Sequence, residues 1–263
     1  MHDLVFYLKE LRLQKDSVNV EELLIDLQNE ENEGLSPREI VTRILHSIWD
    51  CRQDKKLLTW TTTACFPKRF TSTPFNMQLL NIPRKTAEEF LGCDWIGRSE
   101  NLLMCGPSGL GKTHLSVAIG QQAILKGYRT RFVDAPDFFQ ALHDAFTNGM
   151  PLYQRKLQSL DCVDLLIIDD MGNGTVPPES GSFFYEIMDR RYNKGLSTII
   201  TTNKTVASWG AALGDSTSVR AALDRFLESA YKLKFKGKSL RLARFNERNK
   251  TNFEDCADAV NKD

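Results

Sequence analysis

The chain has 263 residues, enough for one full domain and a smaller companion, and its 41% apolar content can build a sizeable core. Its 34 Lys and Arg balance 34 Asp and Glu, so there is no whole-chain case for nucleic acid and any such surface must be local. The six cysteines form no CxxC pair and the four histidines share no ligand spacing, which argues against a disulfide scaffold or a structural metal site. No apolar run is long enough to span a membrane, and the N-terminus, with Asp3 and Lys9-Glu10, lacks a signal-peptide pattern. The expectation is a cytoplasmic protein with reduced thiols and no membrane partner.

Residues 3–60 read as helical. Leu4, Phe6, Leu8, Leu11 and Leu13 cluster in a first segment, and Val20, Leu23, Leu24 and Leu27 fall at helix spacing in a second. An acidic stretch from Asn29 to Gly34 breaks the pattern. Ser36-Pro37-Arg38-Glu39 then reads as a capping box with Pro at the first helical position, and Ile40, Val41, Ile44, Leu45, Ile48 and Trp49 supply the stripe behind it. Residues 1–66 are expected to form a small all-helical domain that mediates contacts. From Thr59 to Asn76 the chain reads as an irregular linker, with Pro67, Pro74 and a basic-aromatic cluster at Lys68-Arg69-Phe70. That cluster suits a phosphate backbone or plain solvation equally well. Ala87 to Leu91 closes a helix.

Asn101 to Lys126 organises the rest. An apolar run, Leu102-Leu103-Met104-Cys105, leads into Gly106-Pro107-Ser108-Gly109-Leu110-Gly111-Lys112-Thr113, and an apolar helix pattern follows until Gly127. Strand, GxxxxGK[ST] loop and helix together make a P-loop in the context that confirms it. Glycine turns point backbone N–H groups inward as an anion nest, and the helix N-terminus adds its positive end. The nucleotide cradle is therefore Gly106 to Thr113, with His114 next in line. Lys112 is expected to reach the β- and γ-phosphates of ATP, and the Thr113 hydroxyl to hold Mg²⁺.

Thr130 to Val133 reads as a strand, Ala135 to Phe146 and Leu152 to Leu160 as helices. Val163 to Ile168 is a continuous apolar run ending in Asp169-Asp170, the pattern of a buried parallel strand with acids at its tip. After a P-loop this is the Walker B position: Asp169 would bind Mg²⁺ through water, and Asp170 would polarise the attacking water. A helix striped by Phe183, Phe184, Ile187 and Met188 ends near Gly195. Ser197 to Thr202 is a further strand tipped by Asn203, which fits a γ-phosphate sensor that helps place the water. Val219 to Ala230 reads as a helix carrying Arg220 and Arg225. Tyr231 to Phe235 alternates, turns at Lys236-Gly237 and continues through Leu240 and Leu242, the pattern of a hairpin with one basic face. The tail 246–263 is polar. Alternating apolar strands and helices imply an α/β fold, a parallel sheet sandwiched by helices over 67–245, with ligands at the C-terminal ends of the strands.

These blocks resemble a family. Gly106 to Thr113, Asp164 to Gly172, Thr201-Thr202-Asn203, Ser208-Trp209-Gly210, Gly214-Asp215, Leu223-Asp224-Arg225 and Lys236 to Leu242 are similar to those of IstB, the AAA+ helper ATPases of insertion-sequence transposition and close relatives of the DnaC helicase loaders. The Walker motifs are common to many ATPases; the blocks after Asn203 are more specific. The resemblance implies an ATP-dependent homo-oligomer on duplex DNA, with ATP between subunits, that selects or prepares target DNA and recruits or stimulates a transposase. It places Arg225 as an arginine finger for the neighbour's nucleotide, with Arg220 as the second candidate and Arg241 as a possible further arginine. DNA contacts are expected at Lys68, Arg69, Arg84 and Lys85. Many relatives carry Glu where this chain has the shorter Asp170, and an aromatic where it has Asn173. The C-terminal lid common in other AAA+ proteins is not expected. A helicase loader is the alternative reading. A small-metabolite P-loop kinase would need an acceptor pocket and an arginine-bearing lid, and neither pattern is present.

Overall fold

The computed structural model describes residues 36–80, 82–214, 216–243, 245, 246 and 249. The two helices expected before residue 30 lie outside the described residues, as does nearly all of the tail 246–263. The chain divides into two compact units between Trp60 and Thr61.

Helix α1 (Pro37–Thr63) supplies the described part of the first unit. Its start is the capping box: the Ser36 N–H donates to Glu39 Oε2 at 2.8 Å, and the Glu39 N–H donates back to Ser36 Oγ at 3.4 Å. The helix runs on to Thr63, so the expected irregular linker begins later than its threonine content suggests. Thr59 is accommodated by donating its hydroxyl to the Lys55 carbonyl at 2.8 Å, the back-bonding that lets a β-branched alcohol sit in a helix. Beyond it the segment is also more ordered than a linker: Lys68–Thr71 forms one helical turn, α2. Phe66, Phe70 and Phe75 pack against the core.

The second unit is a parallel sheet between helices. After α2 come α3 (Arg84–Leu91), α4 (Asp94–Gly97), β1 (Asn101–Cys105), α5 (Lys112–Leu125), β2 (Thr130–Asp134), α6 (Ala135–Thr147), α7 (Met150–Asp161), β3 (Leu165–Asp169), α8 (Ser180–Lys194), β4 (Ser197–Thr202), α9 (Trp209–Ala212), α10 (Ser216–Glu228) and β5 (Ala230–Lys234). Among the described residues five strands lie in the order β2-β3-β4-β1-β5 and every pairing is parallel. β3 and β4 are buried at every position, as strands covered on both faces must be. Leu103, Leu166, Ile168 and Ile200 face the core of α6, α7, α8 and α10; Leu102, Met104, Ile167 and Ile199 face the core of α3 and α5. Arg191, 2% exposed, pins the N-terminal ends of β3 and β4. Its guanidinium donates to the carbonyls of Leu160, Val163, Asp164 and Ser197 and to Thr198 Oγ1, and burial pulls its pKa down to about 9.

The hairpin expected over Tyr231 to Leu242 does not form. β5 runs parallel to β1, with Leu102 opposite Tyr231 and Met104 opposite Leu233. Its alternation comes from being an edge strand: Leu233 and Phe235 are buried while Lys232 and Lys234 are exposed. The chain then crosses the loop after β1 instead of turning back.

Candidate active site

β1 ends at Cys105 and α5 begins at Lys112, so the six residues between them form the loop at the C-terminal edge of the sheet. Two of its glycines are required by close approach as well as by their left-handed backbone. A Cβ on Gly106 (φ +150°) would lie 2.4 Å from the Phe235 carbonyl oxygen, and one on Gly109 (φ +81°) would lie 2.2 Å from Ser239 Oγ. Lys112 is buried, and its ammonium donates to the Gly106 and Pro107 carbonyls at 2.8 and 2.9 Å. Burial pulls its pKa below the usual lysine range, against the attraction of Asp170 and Asp169. The cation thus rests on the loop that curls around it, with the N-terminus of α5 directed to the same space.

The acids stand opposite. Thr113 Oγ1 lies 3.0 and 2.9 Å from Asp169 Oδ1 and Oδ2, which joins the end of β3 to the start of α5. Thr201, on β4, donates its hydroxyl to Asp169 Oδ1 and accepts the Asp170 N–H at 3.1 Å. One side chain therefore fixes both carboxylate-bearing residues, a role the sequence reading did not give it; its place in the polar tip of an apolar strand was the available signal. Burial raises the Asp169 pKa, against the hydrogen bonds from Thr201 and Thr113. Asp134, at the tip of β2 and in register with Asp169, is an acid the sequence reading did not single out; burial raises its pKa too. Asp170 sits just past β3 with a left-handed backbone, φ +58°. Asn173 Nδ2 donates to its Oδ1 at 3.2 Å.

Ser108, Gly109, Gly111, Lys112, Thr113, His114 and Asp170 line one cleft, whose outer wall is Arg69, Phe70, Thr73, Leu240 and Arg241. Asn203 reaches the loop from β4, its Nδ2 donating to Ser108 Oγ at 3.2 Å. His114 stands between the rings of Phe70 and Phe75, at centroid distances of 5.6 and 5.2 Å. After β5, the Phe235 N–H donates to the Cys105 carbonyl at 2.8 Å and the Leu240 N–H to the Gly109 carbonyl at 2.9 Å. The C-terminal segment is thereby laced to the loop, which brings Arg241 to the cleft.

Other expected residues lie elsewhere. Arg225 is absent from the cleft lining and forms an ion pair with Asp189; Arg220 is exposed on α10. Arg69 lines the cleft, so of the four residues expected at DNA it alone belongs to the site. Arg84 pairs with Glu88 at 2.7 Å along α3, and Lys68 and Lys85 are exposed.

A glycine-rich loop at a helix N-terminus, a buried cation and paired acids can hold a nucleoside triphosphate. The Thr113 hydroxyl and Asp169 carboxylate, hard oxygen donors already in contact, fit Mg²⁺. Among the described residues no helix is long and apolar enough to cross a membrane.

Comparison with known proteins shows the family. The chain is 34% identical over 243 residues to a Pseudomonas aeruginosa protein named as the ATP-binding protein of insertion sequence IS21, covering 92% of this chain and 89% of that one. It is 34% identical over 210 residues to the corresponding IS5376 protein of Geobacillus stearothermophilus, covering 80% and 82%. Among solved structures, the DnaC helicase loader superposes with a TM-score of 0.52 at 26% identity, covering 65% of this chain and all of that one. The profile of the IstB-like ATP binding proteins matches residues 7–248, and with the P-loop AAA+ fold in place, the chain belongs to that insertion-sequence family.

Proposed function

We infer that this protein is an ATPase that works as an oligomer on duplex DNA to assist insertion-sequence transposition, selecting or preparing the target and recruiting or stimulating the transposase. The observation that carries the hydrolytic part is the joint placement of Lys112, Thr113, Asp169, Asp170 and Asn203 around one loop, with Asp170 on the cleft wall. Lys112 leaves its loop carbonyls to meet the phosphates. Asp170 accepts a hydrogen bond from the attacking water, and Asn203 and Arg241 bind toward the terminal phosphate. Thr113 and Asp169 would hold Mg²⁺, which neutralises charge on the β- and γ-oxygens when bound. Arg225 completes the site of a neighbouring subunit, so turnover rises with assembly. The insertion-sequence relatives support the transposition context.

The likeness to DnaC supports a second reading, a helicase loader whose nucleotide state controls release. ATP turnover with and without duplex DNA, beside a particle-size measurement, tests the first reading. Activation by DNA together with larger particles is its expected outcome, and a rate unchanged by DNA in a monomeric protein would sink it. Capture of a transposase or of a hexameric helicase separates the two readings.

A further inference from the structure

Asn173 lies in the turn that follows β3, and this turn is held from several sides. The Asp170 N–H donates to Thr201 Oγ1 at 3.1 Å, and the Met171 N–H donates to the Thr201 carbonyl at 2.9 Å. Thr202 Oγ1 donates to the Met171 carbonyl at 2.7 Å. Gly172, at φ +82°, lies under the Trp209 ring, where a Cβ would come within 3.1 Å of Cδ1. The Asn173 N–H closes the turn on the Asp170 carbonyl at 3.2 Å, and its side-chain amide then reaches Asp170 Oδ1 at the same distance. Asp170 thus carries a strained backbone, φ +58°, that its surroundings fix on every side.

An aspartate beside a cleft, anchored only through its backbone, samples several carboxylate orientations, and few of them face the phosphate. A donor on one oxygen removes that freedom and leaves the other for water. Among the described residues Asn173 gives the side-chain hydrogen bond that Asp170 receives. Asp170 is also a short carboxylate, one methylene less than Glu, so its reach cannot be corrected by bending a longer arm. Half-buried Asn173 is close enough to supply the correction from within the same turn.

We propose that Asn173 is a positioning residue for hydrolysis: its side-chain amide holds the Asp170 carboxylate so that the second oxygen faces the attacking water. This rests on the ATPase reading above. Asn173 touches neither phosphate nor metal in the proposal, so its effect is confined to the chemical step and passes through Asp170.

The test is single-turnover ATP hydrolysis by the full-length protein with duplex DNA, with ATP affinity measured separately using a fluorescent analogue. Wild type, Asn173→Ala, Asp170→Asn and the double variant are compared. Asn173→Ala is expected to slow hydrolysis about tenfold, the order given by one hydrogen bond to a charged acceptor, with ATP affinity within about twofold of wild type. Once Asp170 is changed to Asn, removal of Asn173 should cost less than about twofold more, because the group through which it acts is gone. A rate for Asn173→Ala within about twofold of wild type would overturn the proposal. So would an equal further loss on the Asp170→Asn background, or a parallel loss of ATP affinity, since either marks a general structural role. A wild-type protein that binds ATP but does not hydrolyse it would remove the ATPase reading and this proposal together, whereas an active wild type with an indifferent Asn173 removes the proposal alone.

Discussion

Arg225 and Asp189 form an ion pair at 3.0 Å between α10 and α8, and the Arg225 guanidinium lies 5.0 Å from the centroid of the Tyr185 ring. The same guanidinium donates to the Ala221 carbonyl at 3.1 Å, so it is held in place away from the cleft of its own chain. A residue so placed can serve catalysis only at a neighbour's nucleotide. Arg225→Ala should keep its ATP affinity and hydrolyse slowly, by about 10³-fold if it is a full arginine finger. Mixing it with Lys112→Ala, which keeps its arginine, should restore part of the turnover. No recovery in demonstrated mixed oligomers would move the role to Arg220.

Lys112→Ala should weaken ATP binding at least about tenfold, because each lost hydrogen bond to a charged phosphate is worth about 1.5–3 kcal/mol. Asp170→Asn should bind ATP normally and hydrolyse it at least about 100-fold more slowly, the range of a lost general base. Equilibrium binding and turnover measured on the same preparations separate the two effects, and equal turnover in Asp170→Asn and wild type would take Asp170 out of the mechanism.

Asp169 links stability to pH. Burial raises its folded-state pKa above the unfolded value, so its contribution to folding is most favourable at low pH and is lost as pH rises through the folded value. Without Mg²⁺ at neutral pH, Asp169→Asn should therefore melt higher than wild type, by about 2 °C or more for roughly 1 kcal/mol. The gap should close on acidification. The expected gain at neutral pH is also the measure of what the site gives up to keep a charged metal ligand. A gap that is constant across pH, or that favours wild type throughout, would contradict it.

Gly109 and Ser239 are packed so closely that a methyl on the first collides with the hydroxyl of the second. Gly109→Ala should lower stability by more than the roughly 1–2 kcal/mol of its left-handed backbone alone. Adding Ser239→Gly should recover the steric part and leave the backbone part. Thermal melts of the single and double variants check this; strictly additive losses would show that the two residues do not meet.

Local chemistry was legible in residue order. A GxxxxGK[ST] spacing after an apolar run admits few backbone paths, which is why Gly106 to Gly111 form the loop after β1 and Lys112 and Thr113 begin α5. A short apolar run over Val163 to Ile168 and a β-branched run over Thr198 to Thr202, neither with a polar face, read as strands covered on both faces, so β3 and β4, with Asp169 and Asn203 at or beyond their tips, were legible without coordinates. Proximity between distant segments came from the fold. Parallel register sets Asp134 beside Asp169, and strand order lets Thr201 hold Asp169 and Asp170 together. The alternation in β5 looked like a hairpin because an edge strand with one wet face has the same period as either hairpin arm. Only its pairing with β1 sends the chain across the loop, setting Ser239 against Gly109 and bringing Leu240 and Arg241 to the cleft. Periodicity reports which face of an element is buried; it carries no information about which neighbour buries it, and that neighbour decides the outer wall of this site.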